Sequence, residues 1–241
     1  MGDPTAAAPV PSKAGLWEDF IDTFTQPSQV FERRRDGKFG MAFLAFVVVS
    51  AILFFVLHNG LAPIFDAEMA KAAATMAAKN PQITADQIAA QQGMMEKFAS
   101  IGFVIFLPIG IVITAALLWV AGKIVGASVA FAGAMMIATY SQFPRIVEMV
   151  LNAIQGLLLS PESITSRYSV QIGVARFLGT DANPFLLALL GGLDLFTIWV
   201  VVLMAIGLSV VARVSRSTAA IAAIIVWVVT LIPSLYQAIS S

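Results

Sequence analysis

Three side chains in this 241-residue chain stand where ionisable groups are costly: Asp194 at the head of a charge-free run, and Arg145 with Glu148 just past Pro144. Arg145 and Glu148 are three apart, close enough on one helix to pair, or else they open an interfacial helix whose charges see water. Asp194 also has two readings. In a helix starting at Pro184, with Asp181 as cap, it lies about 15 Å in. A carboxylate that deep costs on the order of 2.5–3.5 kcal/mol and implies a partner or a pathway. If Gly191-Gly192 instead closes a separate interfacial turn, Asp194 begins the next helix near water.

Catalysis finds little to work with. An intramembrane protease needs a serine with a histidine, or two membrane aspartates. His58 is the sole histidine and has no serine motif around it, and Asp194 is the only acid in the last hairpin. With no cysteine there is no disulfide, thiolate nucleophile or thiolate metal site. Neither a zinc ligand set nor a phosphate-binding P-loop is present. The expectation is a chain that is not an enzyme, with no catalytic residue, no metal and no cofactor.

Two further patterns suggest contact surfaces. Arg33, Arg34, Arg35 and Lys38 stand directly before an apolar run. They read as a topological anchor or as a site for anionic lipid headgroups or an acidic partner. Gly122, Gly126, Ala130, Ala134 and Ala138 fall at strict four-residue steps, which on one helix would make a smooth ridge for close helix packing. An alanine-rich chain also produces such ridges by chance.

The elements that must carry these residues are membrane helices. Apolar residues make up 59% of the chain and charged residues 12%, and the mean hydropathy is +0.88. A soluble domain carries about 25% charged residues. Leu195–Ala212 and Ser217–Ala238 are free of charge and flank the step Arg213-Val214-Ser215-Arg216. Each run is long enough to cross a hydrocarbon core about 30 Å thick. Phe39–Leu57 and Phe98–Val120 read as earlier spans, the second kinked at Pro108 and Gly110. Residues 126–159 would measure about 50 Å as one helix, so Pro144 must break them. Either Ser128–Phe143 spans alone, or the two halves form a short hairpin. The expected fold is all-α: one bundle of five transmembrane helices, with six as the alternative.

Outside the bundle, residues 1–38 read as a cytoplasmic tail without a signal peptide. Trp17, Phe20, Ile21 and Phe24 share one face of a short interfacial helix. Residues 58–97 read as an outward helical hairpin, with Thr84-Ala85-Asp86-Gln87 as a capping box. Five crossings place Arg33–Lys38, Lys123 and Arg213/Arg216 inside and the C-terminus outside. Zero net charge gives no field that would draw nucleic acid.

At the last hairpin the residues become specific. Leu193-Asp194-Leu195-Phe196-Thr197-Ile198-Trp199, Ile206-Gly207-Leu208 and Ser215-Arg216-Ser217-Thr218-Ala219 resemble the signature of the Yip family. Ala138-Thr139-Tyr140-Ser141-Gln142-Phe143-Pro144 and Pro27 through Phe31 extend the resemblance over about residues 17–238. These are small, five-span membrane proteins, named in eukaryotes for interaction with Ypt/Rab GTPases and found throughout bacteria. The N-terminal region here is shorter, and the 58–97 insert longer, than in the trafficking members, which points to a bacterial inner-membrane protein. The resemblance implies a Yip-like membrane domain over 39–241 in a non-catalytic adaptor or accessory subunit. Its implied partners are lipids and other membrane proteins, with ABC efflux components or a second copy of the chain as candidates. A small transporter, channel or lipid-moving protein built around Asp194 and the broken helices is the alternative.

Overall fold

The computed structural model describes residues 15–80, 82–179 and 182–240. Its ten α-helices are α1 (Leu16–Thr25), α2 (Pro27–Arg33), α3 (Gly40–Val56), α4 (His58–Lys79), α5 (Ala85–Ile124), α6 (Phe131–Ser141), α7 (Pro144–Leu158), α8 (Pro184–Gly191), α9 (Leu195–Ala212) and α10 (Arg216–Ser240). Three short 3-10 turns fill the connection after α7, and Gly173 pairs with Asp194 in an isolated antiparallel bridge.

Among the described residues, three helices are long and apolar enough to cross a membrane: 101–124 within α5, α9, and α10. A fourth arises if α3 and α4, bent by 83° at Leu57, count as one broken span. The exposed flanks of these helices carry Ile, Val, Leu and Phe, as lipid contact requires. The α9–α10 hairpin turns at Arg213, whose left-handed backbone (φ 55°) ends α9, and the Ser215 hydroxyl caps α10 by accepting from Thr218 N–H.

The capping box at Thr84 forms: Thr84 Oγ1 accepts from Gln87 N–H, and Gln87 Oε1 accepts from Thr84 N–H. The helix it starts does not stop at a membrane boundary. α5 runs forty residues, about 60 Å. The helical hairpin read from residues 58–97 therefore consists of α4 and the first turns of α5, which continue unbroken into the span.

The four-step ridge is not one surface. α5 ends at Ile124, and Gly126 takes the left-handed conformation (φ 77°) that closes it. Gly126 N–H donates to the Lys123 carbonyl and Ala127 N–H to the Gly122 carbonyl, the paired bonds of a glycine-terminated helix. Gly122, Ala134 and Ala138 are buried, while Gly126 and Ala130 are exposed in the turn. Four-residue spacing survives in the sequence, but the helix does not.

Residues 126–159 also form two helices rather than one continuous one. α6 has eleven residues, about 16 Å of helix, and nearly every one is buried. α7 follows after Gln142-Phe143 and packs on α4, α3 and α9, whereas α6 packs on α5, α9 and α3. At one end of α3, Gly37 lies against Ala132. At the other, beyond the bend, Gly60 lies against Ala153 and Gly156. The two short helices thus run in series along the length of α3 rather than folding back as a hairpin.

The N-terminal helices enter the bundle. Val30 and Phe31 of α2 are fully buried among Ile137 of α6 and Leu203 and Leu208 of α9. A Cβ on Gly207 would come within 3.0 Å of Phe31 and 2.8 Å of Ile137, so a glycine there lets α9 meet both. α1 turns Asp19 and Thr23 inward, with Phe20 against Phe143 and Phe24 against Trp199. Trp17, 71% exposed, and Ile21 remain outside. α1 and α2 thus dock on the helices of the bundle.

Candidate functional site

Two polar clusters, each around a buried aspartate, join helices of the bundle. The first gathers Arg145 and Glu148, three apart on α7, with Asp194, which is far from both in sequence. Asp194 is the N-cap of α9: Oδ1 accepts from Phe196 N–H at 2.9 Å and Thr197 N–H at 3.0 Å. The Thr197 hydroxyl donates to Asp194 Oδ2 and accepts from Arg145 Nη2 at 2.8 Å. Arg145 Nη1 meets Glu148 Oε2 at 2.6 Å and lies 3.9 Å from Asp194 Oδ1.

Of the two readings of Asp194, the helix-start reading describes its place. Gly191-Gly192 ends α8, and the next helix begins at Leu195. The burial comes from protein, because Gly173 and the loop after α7 cover the cap. Arg145 and Glu148 pair with each other, and the pair reaches across to α9. The Thr197 proton is committed to Asp194, and the cluster joins α7 to α9. Asp194→Ala should lower stability by about 1–2 kcal/mol, while Asp194→Asn, which keeps a capping oxygen, should cost less. Thermal unfolding of the purified chain in detergent reads both.

The second cluster surrounds Asp19, which is fully buried. Its Oδ1 meets Arg33 Nη2 at 2.9 Å, and its Oδ2 meets Arg34 Nη2 at 2.6 Å and accepts from the Tyr140 hydroxyl at 3.0 Å. Arg33 also reaches Asp22 at 2.6 Å. Burial works to lower the Arg33 pKa, but hydrogen bonds to Asp22 and Asp19 offset it and hold the pKa above its ordinary value.

These contacts change the account of the basic patch. Arg33, 6% exposed in its side chain, faces two carboxylates and offers no surface to a lipid phosphate. Arg35 pairs with Glu32 and donates to the Val210 carbonyl, tying α2 to the C-terminal end of α9. Lys38 pairs with Asp36 in the open, where such a pair contributes little. Sequence reasoning passed over Asp19 and Tyr140. The available signal was two acids, Asp19 and Asp22, one turn apart and a short link upstream of the arginines.

Among the described residues, no three His, Asp or Glu side chains gather as metal ligands would. The sequence matches the Yip1 domain family over residues 21–236. No curated protein and no solved structure shows significant similarity to the chain. The chain belongs to the Yip1 domain family, generally non-catalytic membrane proteins, and is itself an integral membrane protein with helical spans.

Proposed function

We propose that this Yip1-domain protein is a non-catalytic membrane adaptor or accessory subunit that organises a membrane protein complex. The observation that carries the reading is the self-closure of both polar clusters. Asp19 with Arg33 and Arg34, and Arg145 with Glu148 and Asp194, use their charges to join helices. What the molecule offers to others is its outer surface, including the arm formed by α4 and the start of α5. Suitable partners are other membrane proteins in a bacterial inner membrane, with an efflux ABC transporter component or a second copy as candidates.

The proposed topology has five crossings: α3, α5, α6 with α7 as one broken crossing, α9 and α10. The contacts of Gly37 and Gly60 at opposite ends of α3 support the composite crossing. Arg35 on the Val210 carbonyl supports a shared cytoplasmic side for the basic patch and the Arg213 turn. The N-terminus is then inside, and the C-terminus faces outward.

Extraction from native membranes in several mild detergents, followed by quantitative mass analysis, tests the function. A stoichiometric membrane partner is expected. A clean monomer in every detergent would sink the adaptor reading. The transporter alternative predicts liposome flux or lipid scrambling that Asp194→Asn abolishes. With Asp194 engaged as a cap, we expect neither.

A further inference from the structure

A cavity of about 220 Å³ lies between α4, the loop after α7 and the start of α8. Its polar lining is Lys71, Arg176, Thr165, Ser166, Ser169 and Tyr168, with no carboxylate among the described residues. Arg176 is held by a neutral partner, donating to Gln155 Oε1 at 2.7 Å, so its position is fixed and its charge is not cancelled. Lys71 forms no ion pair among the described residues. The Ser166 oxygen accepts from Tyr168 N–H, and the Ser169 oxygen accepts from the N–H groups of Thr165 and Ser166. The Ser166 hydroxyl has its proton left to donate, and the Thr165–Ser169 hydroxyl pair, 3.4 Å apart, keeps one of its two. The Tyr168 ring packs against Gly191 and fixes the wall.

Glu68, one turn before Lys71, is engaged by Arg167 N–H at 2.8 Å, and two cations that form no ion pair among the described residues, with hydroxyl donors, suit an oxyanion. The surroundings are apolar: Leu178 and Leu187 line the cavity, and Phe177, 84% exposed, and Val174 flank Arg176. The cavity lies on the side of the bundle where α9 begins, because Gly173, on the same loop, pairs with Asp194. Charge beside exposed aromatic and aliphatic groups at a helix start marks the headgroup region of a bilayer.

We propose that this cavity binds a phosphate ester anion, with the headgroup phosphate of an anionic phospholipid as the source that the apolar rim favours. The test is native mass spectrometry of the detergent-purified full-length chain titrated with phosphatidylglycerol or phosphatidylcholine. Phosphatidylglycerol should bind preferentially, with affinity falling about fivefold for each of Lys71→Gln and Arg176→Gln. Lys123→Gln, in the last turn of α5 and outside the cavity, should leave it unchanged. Arg176→Lys, which keeps the charge, should retain most of the binding. If Arg176→Gln unfolds the loop, Lys71→Glu alone, at an exposed helix position, should still abolish the preference. Glycerol phosphate that binds alone and displaces the lipid would assign the site to a soluble phosphate ester; failure to displace assigns it to lipid. No preference for phosphatidylglycerol, or equal binding by wild type and the double glutamine variant, overturns the proposal.

Discussion

Asp19→Ala lowers the stability of the folded chain by about 3–5 kcal/mol, because it leaves the Arg33 and Arg34 guanidinium groups in a buried site without their shared carboxylate. Asp22 remains for Arg33. The Coulombic attraction that offsets desolvation is lost while both charges stay. Tyr140→Phe removes one hydrogen bond to the same carboxylate and should cost about 1.5–3 kcal/mol at most. Thermal unfolding in detergent ranks the two variants. Trypsin adds a local readout, since release of α1 and α2 exposes the peptide bonds after Arg33 and Arg34. An Asp19→Ala shift no larger than that of Tyr140→Phe, with the N-terminus still protected, would mean that the cluster does not hold these helices.

A single methyl group at Gly156 should be as damaging. A Cβ built there stands 1.9 Å from the Gly60 carbonyl oxygen, and one at Gly60 stands 2.4 Å from the Ala153 carbonyl oxygen. Both obstacles are backbone, so no rotamer change relieves them, and α4 must separate from α7. Gly156→Ala and Gly60→Ala should each cost about 3 kcal/mol or more. Gly110 on α5 has open space around it, so Gly110→Ala should be neutral or stabilise by up to about 1 kcal/mol. Similar melting temperatures for all three variants would remove the close α4–α7 contact from this account.

The physical signals in the sequence explain which parts of this fold could be read from it. A charge-free run of the right length has one economical solution in lipid, so α9, α10 and the Arg213 turn were legible. Thr84 and Gln87 act within one turn, so their capping box was legible too. Longer-range pairing was not. Hydropathy treats Asp19 and Arg33 as solvated, and only the fold brings carboxylate and guanidinium together. The ridge failed for a local reason: four-residue spacing says nothing about whether the helix continues, and Gly126 ends it. The Arg145–Glu148 pairing followed from its i, i+3 spacing, but its link to Asp194 through Thr197 required the packing of α7 on α9. Gly191-Gly192 held the correct signal for Asp194, since two glycines readily end a short helix.

The proposed five-crossing topology, with the N-terminal helices on the cytoplasmic side, decides which surfaces face a partner. The chain has no native cysteine, so single cysteines at Ser28, Gln82, Ser215 and Ser241 need no further changes. Ser28, Gln82 and Ser215 are exposed. Intact cells treated with a membrane-impermeant thiol reagent should be labelled at 82 and 241, and labelled at 28 and 215 only after permeabilisation. Labelling of 215 in intact cells, with 241 protected, would mean that residues 126–159 cross twice, and the five-crossing architecture would be wrong.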